Sequence, residues 1–289
     1  MVPALPIHGA GVDKLEALFP APLSAPEVVQ RARDLGFCLE TTFLKERAPF
    51  LKVSKGEEYV LLKYSWDKQT LGRLVSNPNR FRTWGAYRDF LSRLLTPTGL
   101  ESAKISRLDL NLDFSCPFPD LIRSLHIKNK RAGVQFTDDS GERTGINIGK
   151  AAEVIQIYDK ARQAALSAHR SRIELRMRGH KLPTFKIASI PSAIQTQNFF
   201  ETVEGLEVTI LGSKVTETQK QRIAEFQTIL NRDGFYFAKK ALNKDRNFER
   251  DFGKIVMVRP WSTQPSSLFK EQIKSFFKND MRALNLMQH

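Results

Sequence analysis

Two segments of this chain alternate apolar and polar residues with period two, and the polar sides are unusual. In the first, Leu108, Leu110, Leu112 and Phe114 alternate with Arg107, Asp109, Asn111 and Asp113, while Ile105 falls out of phase at the edge. In the second, Ile173, Leu175 and Met177 alternate with Arg172, Glu174, Arg176 and Arg178. Period two sends each set to its own side of a strand, which predicts half-buried strands over 105–114 and 172–178. One side of each strand is core. The other is almost entirely carboxylates and guanidiniums. Aligned acids flanked by arginines suit a divalent cation gripping a phosphate, with the acids on the metal and the arginines neutralising a nucleic-acid backbone. The same faces also suit a ladder of cross-strand ion pairs on an exposed sheet.

The rest of the chain reads as α+β. In the mixed first third, 1–100, Ser24 and Glu27 match a capping box for a helix to about residue 34. Strands are expected over 50–53 and 59–64. The Asn77-Pro78-Asn79 turn precedes a helix over 81–95, in which Trp84, Tyr87, Leu91 and Leu94 form the buried stripe. The middle third, 101–200, is rich in strands. A short helix is expected over 120–127, a hairpin over 133–148 around Asp138-Asp139-Ser140-Gly141, and a strand over 154–159. The last third, 201–289, reads as mainly helical. Thr216 and Gln219 cap a helix that Gly234 ends, and another starts near Ser267. Residue 200 is a plausible boundary.

Charge narrows the partners. Lys+Arg is 45 against Asp+Glu 31, a formal net charge of +14. That excess points to a polyanion, nucleic acid ahead of an anionic membrane surface, since no basic amphipathic terminal helix supports the latter. Residues 160–186 hold Lys160, Arg162, Arg170, Arg172, Arg176, Arg178, Lys181 and Lys186 against the single acid Glu174. Over 73–93, Arg80, Arg82, Arg88 and Arg93 interleave with Phe81, Trp84, Tyr87 and Phe90, the composition of a surface that holds phosphates and stacks bases. With 41% hydrophobic and 26% charged residues, disorder and collagen are excluded. Residues 1–10 carry no secretory pattern, and the two cysteines, Cys38 and Cys116, cannot staple a scaffold, so a reducing cytoplasm is expected.

Spacing limits any metal site. Asp109 and Asp113 lie four residues apart on one strand, roughly 13 Å at the usual rise. One ion cannot take both. Glu174 with Asp109 is the preferred pair, leaving Asp113 to orient a neighbour. Tyr158 follows on the segment Ile155-Gln156-Ile157-Tyr158-Asp159-Lys160, on the same side as Gln156 and Lys160. A phenol near a metal can attack a phosphodiester, and Lys160 supplies a charge that activates it or stabilises the transition state. Tyr59, Tyr64, Tyr87 and Tyr236 are rivals by type, but only Tyr158 lies between the two acidic strands in sequence. A buried ring with a wet hydroxyl is the ordinary alternative for any one tyrosine.

Four segments in order resemble the replication initiation factor family, the Rep_trans type of rolling-circle initiators, with related conjugative relaxases and filamentous phage initiators. They are Ile105-Ser106-Arg107-Leu108-Asp109-Leu110-Asn111-Leu112-Asp113, Gly145-Ile146-Asn147-Ile148-Gly149-Lys150, Ile157-Tyr158-Asp159-Lys160 and Arg172-Ile173-Glu174-Leu175-Arg176. The chain departs from the family around Gly149, where the family often carries an aromatic and a Ser-Arg pair. The resemblance implies a relaxase-like antiparallel sheet and a cytoplasmic, plasmid- or phage-encoded nickase. Tyr158 would attack a DNA phosphate, leaving a 5′-phosphotyrosine and a free 3′-hydroxyl, with Mg²⁺ or Mn²⁺ on Asp109 and Glu174. Its implied partners are origin DNA (a hairpin, single-stranded or supercoiled), a host helicase and a second copy of the chain, with no membrane. Residues 1–100 lie outside the resemblance and are the candidate for origin readout.

Competing classes differ in what they need. A histidine-dependent relaxase needs a His-hydrophobic-His pair, and His8, His126, His169, His180 and His289 are never two apart. A tyrosine recombinase places its nucleophile after a His-x-x-Arg segment, whereas Tyr158 precedes His169. A non-catalytic DNA- or RNA-binding protein explains the charge but not the aligned carboxylates, which repel phosphate unless a metal intervenes. A hydrolytic nuclease would use the acids without Tyr158.

Overall fold

The computed structural model describes residues 5–43, 49–65, 67–129, 133–182, 186–211, 216–242, 252–253 and 256–278. Its strands are β1 (Ile7–Ser24), β2 (Cys38–Phe43), β3 (Pro49–Lys55), β4 (Glu58–Ser65), β5 (Thr70–Ser76), β6 (Lys104–Phe114), β7 (Leu125–Ile127), β8 (Gly133–Thr137), β9 (Arg143–Lys150), β10 (Glu153–Asp159), β11 (Ser171–Arg178), β12 (Val203–Ile210) and β13 (Val256–Pro260). Ten form one antiparallel sheet in the order β2-β3-β4-β5-β1-β6-β11-β10-β9-β8. The long β1 pairs with β5 on one side and β6 on the other, so one sheet runs across residue 100. A smaller sheet has the order β13-β12-β7. The α+β class, the antiparallel sheet and the helices toward the C-terminus agree with the sequence reading.

Both alternating segments are strands. Ile105 is out of phase because the β1–β6 register shifts there: Glu16 faces Arg107 and Ala17 faces Ile105, which leaves Ser106 as a bulge. Beyond it, Leu108, Leu110, Leu112 and Phe114 are fully buried, with Ile155, Ile157, Ile173 and Leu175 from neighbouring strands. The helix Trp84–Leu94 supplies Trp84, Tyr87, Leu91 and Leu94 to the same core. Thr83 caps it by accepting from the Ala86 N–H at 3.1 Å. Each such large apolar side chain contributes roughly 1.5–3 kcal/mol on burial. A second cluster joins Leu206, Phe226, Leu230, Phe235 and Val256.

Three local expectations change. Ser24 does start the helix Ala25–Asp34, but its side chain makes no capping bond there. The helix expected over 120–127 is Phe118–Arg123 followed by β7, because Leu125 and Ile127 turn inward and pair with β12. The last third contains β12 and β13 as well as helices; the Thr216–Gln219 capping box opens the helix Glu217–Asp233 as expected. Among the described residues no helix is long and apolar enough to cross a membrane.

Candidate active site

The polar side of the central strands carries cross-strand rows. One row runs Phe136, Gly145, Tyr158, Arg172, Asp113, Gly9 from β8 to β1. The next runs Val134, Asn147, Gln156, Glu174, Asn111, Gly11, and a third pairs Arg176, Asp109 and Lys14. The antiparallel register thus brings Tyr158 beside Arg172, two residue pairs along from Glu174 and on the same face.

The expected ion-pair ladder exists, but it is buried rather than exposed. Asp109 is 1% and Glu174 5% exposed. Arg107 grips both oxygens of Asp109, its Nε lying 2.8 Å from Oδ1. Arg176 reaches Asp109 Oδ2 at 3.4 Å, Glu174 Oε1 at 3.0 Å and Gln156 Oε1 at 3.2 Å. Arg172 chelates Asp113 through Nε at 2.6 Å and Nη2 at 2.8 Å. Buried charges are tolerated only when paired in this way. Arg107, Arg172 and Arg176, read from sequence as backbone-neutralising, therefore first neutralise the chain's own acids. Arg178, Arg80 and Arg82 are exposed. Arg80 lies 4.5 Å from the centre of the Tyr59 ring.

A cavity of about 510 Å³ opens on this face, bordered by Asp13, Asp109, Tyr158, Lys160, Glu174 and Arg176, with Tyr59 also on its wall. Asp113 does not line it. The Tyr158 hydroxyl donates to Glu174 Oε2 at 3.3 Å. Burial raises the phenol's pKa well above its ordinary value, although Arg172 pulls it down. Burial also raises the Glu174 carboxyl, helped by repulsion from Asp109 and Asp13. Lys160 opens the short helix Lys160–Gln163 and donates to Gln163 Oε1 at 3.0 Å, with its Nζ 5.9 Å from the centre of the Tyr158 ring. Burial, with Arg172 nearby, holds its pKa below that of a free lysine.

Asp13 was not singled out from sequence. The β1–β6 register shifts between Val12 and Lys14, and this bulge turns Asp13 toward the site. Its Oδ1 accepts from Arg172 Nη1 at 2.9 Å. The signal was faint: an acid beside a glycine pair, Gly9 and Gly11. Gly11 is required by close approach, because a Cβ there would sit 2.1 Å from Asn79 Oδ1. Asn79 accepts from the Val12 N–H at 2.8 Å and donates to Asn111 at 3.0 Å, propping the floor of the site.

The donor set fits a small hard cation. Glu174 and Asp109 present carboxylate oxygens to one cavity, and Glu174 is disfavoured as an anion by its acidic neighbours, a state that a bound cation relieves. Among the described residues no three His, Cys, Asp or Glu side chains converge into a cage. A Mg²⁺ or Mn²⁺ on one or two carboxylates would complete its shell with water and phosphate. Both Asp109 oxygens accept from Arg107, and Oδ2 also from Arg176.

The chain matches no protein-family model and no curated protein. It is similar to a solved structure described as the rolling circle replication initiator protein from Geobacillus stearothermophilus, at 12% identity and a TM-score of 0.41, over 74% of this chain and 91% of that one.

Proposed function

We propose that the chain is a rolling-circle replication initiator that nicks and rejoins one DNA strand by tyrosine transesterification. The observation that carries this reading is the Tyr158 hydroxyl, placed on a cavity wall with a carboxylate 3.3 Å away and the Arg172 guanidinium on the neighbouring strand. The phenol oxygen attacks phosphorus and the P–O3′ bond breaks. The 5′-phosphate stays on Tyr158, and the 3′ oxygen leaves and takes up a proton. Glu174, 3.3 Å from the hydroxyl, orients the phenol, and the phenol's proton passes to solvent in the cavity. Arg172 and Lys160 favour the phenolate and the charge on the phosphoryl oxygens. Asp113 holds Arg172 in place. A divalent ion on Glu174 and Asp109 would polarise the phosphate. The covalent link conserves the bond, so the reverse attack by a 3′-hydroxyl rejoins strands. Arg80, Arg82 and Arg178 are proposed contacts to the DNA backbone, and the reducing bacterial cytoplasm is the proposed setting.

The test is incubation with Mn²⁺ and single-stranded DNA carrying candidate origin hairpins. The expected product is a denaturation-resistant protein–DNA adduct that Tyr158→Phe abolishes. Cleavage that survives Tyr158→Phe replaces this reading with a hydrolytic nuclease. Tight binding without cleavage by the parent replaces it with a DNA-binding protein.

A further inference from the structure

On the side of Tyr158 away from the acids lies a second cavity, of about 330 Å³. It shares Gln156, Tyr158 and Gln163 with the first cavity, and its other walls differ. Phe136, Gly145 and Tyr158 stand in one cross-strand row on β8, β9 and β10. The middle residue has no side chain, so a gap separates two aromatic rings. Two strand spacings put their backbones about 10 Å apart. Two successive aromatic stacks, each with centroids roughly 4.5–7 Å apart, span that distance. A Cβ at position 145 would lie 3.0 Å from Tyr158 Cβ and 3.2 Å from Ile157 O, so the close approach of β10 favours a residue without a side chain there. Phe136 is 39% exposed on an edge strand, so folding leaves much of the ring open to solvent.

The rest of the cavity is suited to the edge of a flat polar ring. Thr144, Gln156 and Gln163 bring a hydroxyl and two amides to it. Its acids are held by Arg162: Asp138 pairs with the Arg162 guanidinium at 3.0 Å, and Asp159 accepts from the Arg162 backbone N–H at 2.9 Å.

We infer that this cavity takes one nucleobase, stacked between Phe136 and Tyr158 over Gly145, from the nucleotide next to the phosphate that Tyr158 attacks. The inference rests on the DNA-nicking reading, which it deepens by giving the substrate an unpaired base at the reaction centre. A base inside a duplex cannot enter, so the site selects single-stranded or extruded DNA.

The experiment is a binding cycle in the full chain carrying Tyr158→Phe, which keeps the ring and removes the nucleophile. Two fluorescent strands of about 12 nucleotides, a usual site size, are compared: mixed-sequence DNA, and the same length of abasic sugar-phosphate. Phe136→Ala is expected to weaken binding of the base-bearing strand at least about fivefold and to leave the abasic strand nearly unchanged. Phe136→Trp restores binding and Phe136→Leu does not. Equal loss on both strands overturns the proposal. So does full binding by Phe136→Leu, or no binding of DNA by the parent. Because this background cannot form an adduct, failure here is separate from failure of the tyrosine chemistry, which the Mn²⁺ assay reads on the unaltered chain.

Discussion

Asp13 and Arg172, 159 residues apart along the chain, meet at 2.9 Å. The contact ties a bulge in the first strand to the guanidinium beside Tyr158. Asp13 also adds to the repulsion on Glu174. In Asp13→Asn, the Glu174 carboxyl is expected to move back toward its ordinary range and the nicking rate to fall about tenfold, the equivalent of roughly 1.4 kcal/mol of transition-state stabilisation. Single-turnover nicking against strand-binding affinity checks this; equal losses in both would show that Asp13 serves binding alone.

Glu174 sets a pH dependence of stability. Its carboxyl is raised by burial and by Asp109 and Asp13, so the folded chain binds that proton more tightly than the unfolded chain. The resulting stability is full below the unfolded value, about 4.3, and is lost as pH rises through the higher folded value. Glu174→Gln is therefore expected to melt above the parent at neutral pH, with the gap closing in acid. Thermal melts across pH measure it, and a neutral-pH parent as stable as the variant contradicts it.

The same melts with Mn²⁺ report on the cation. Binding to the folded chain alone raises the melting temperature. The parent is expected to gain with added Mn²⁺, and Glu174→Gln and Asp109→Asn to gain little. Equal gains in all three remove these two carboxylates from the metal site. Nicking by Glu174→Ala at the parent's rate would do the same.

Asp113 and Arg172 are a buried pair, and Arg172 also pairs with Asp13, so the two removals are unequal. Arg172→Met is expected to cost about 3–5 kcal/mol in urea unfolding, and Asp113→Leu less, because Asp13 still faces the guanidinium. The double variant should lose much less than the sum. Additive losses would mean that the two side chains do not depend on one another.

At Gly11, a methyl group would displace Asn79 from its bonds to the Val12 N–H and to Asn111. Gly11→Ala is expected to destabilise by roughly 1–3 kcal/mol. Adding Asn79→Ala should recover part of that by removing the clash. A neutral Gly11→Ala would show that the floor of the site tolerates a side chain.

Much of the fold was legible because period two survives burial. The alternation from Leu108 to Phe114 and from Ile173 to Met177 placed the core and the acid face correctly, and the Trp84–Leu94 stripe did the same for its helix. What was missed depends on distant partners. β7 is three residues long, too short for any periodicity, and exists because β12 lies beside it. Asp13 was invisible because a bulge, not a pattern, turns it inward. The arginines were legible by type but not by partner: nothing local paired Arg172 with Asp13 or Arg176 with Asp109. Gly145 stood within a recognised segment, yet its purpose as a gap appears only when β8 and β10 flank it.

The ties of β1 have an electrostatic consequence. Glu16 accepts from Arg73 on β5 and sits 3.5 Å from Arg107 on β6, which in turn clasps Asp109. Positive and negative groups thus run in turn across three neighbouring strands, β5, β1 and β6, to Asp109. Neutralising Glu16 would remove the acid that Arg73 and Arg107 share, and Arg107 is the side chain that clasps Asp109.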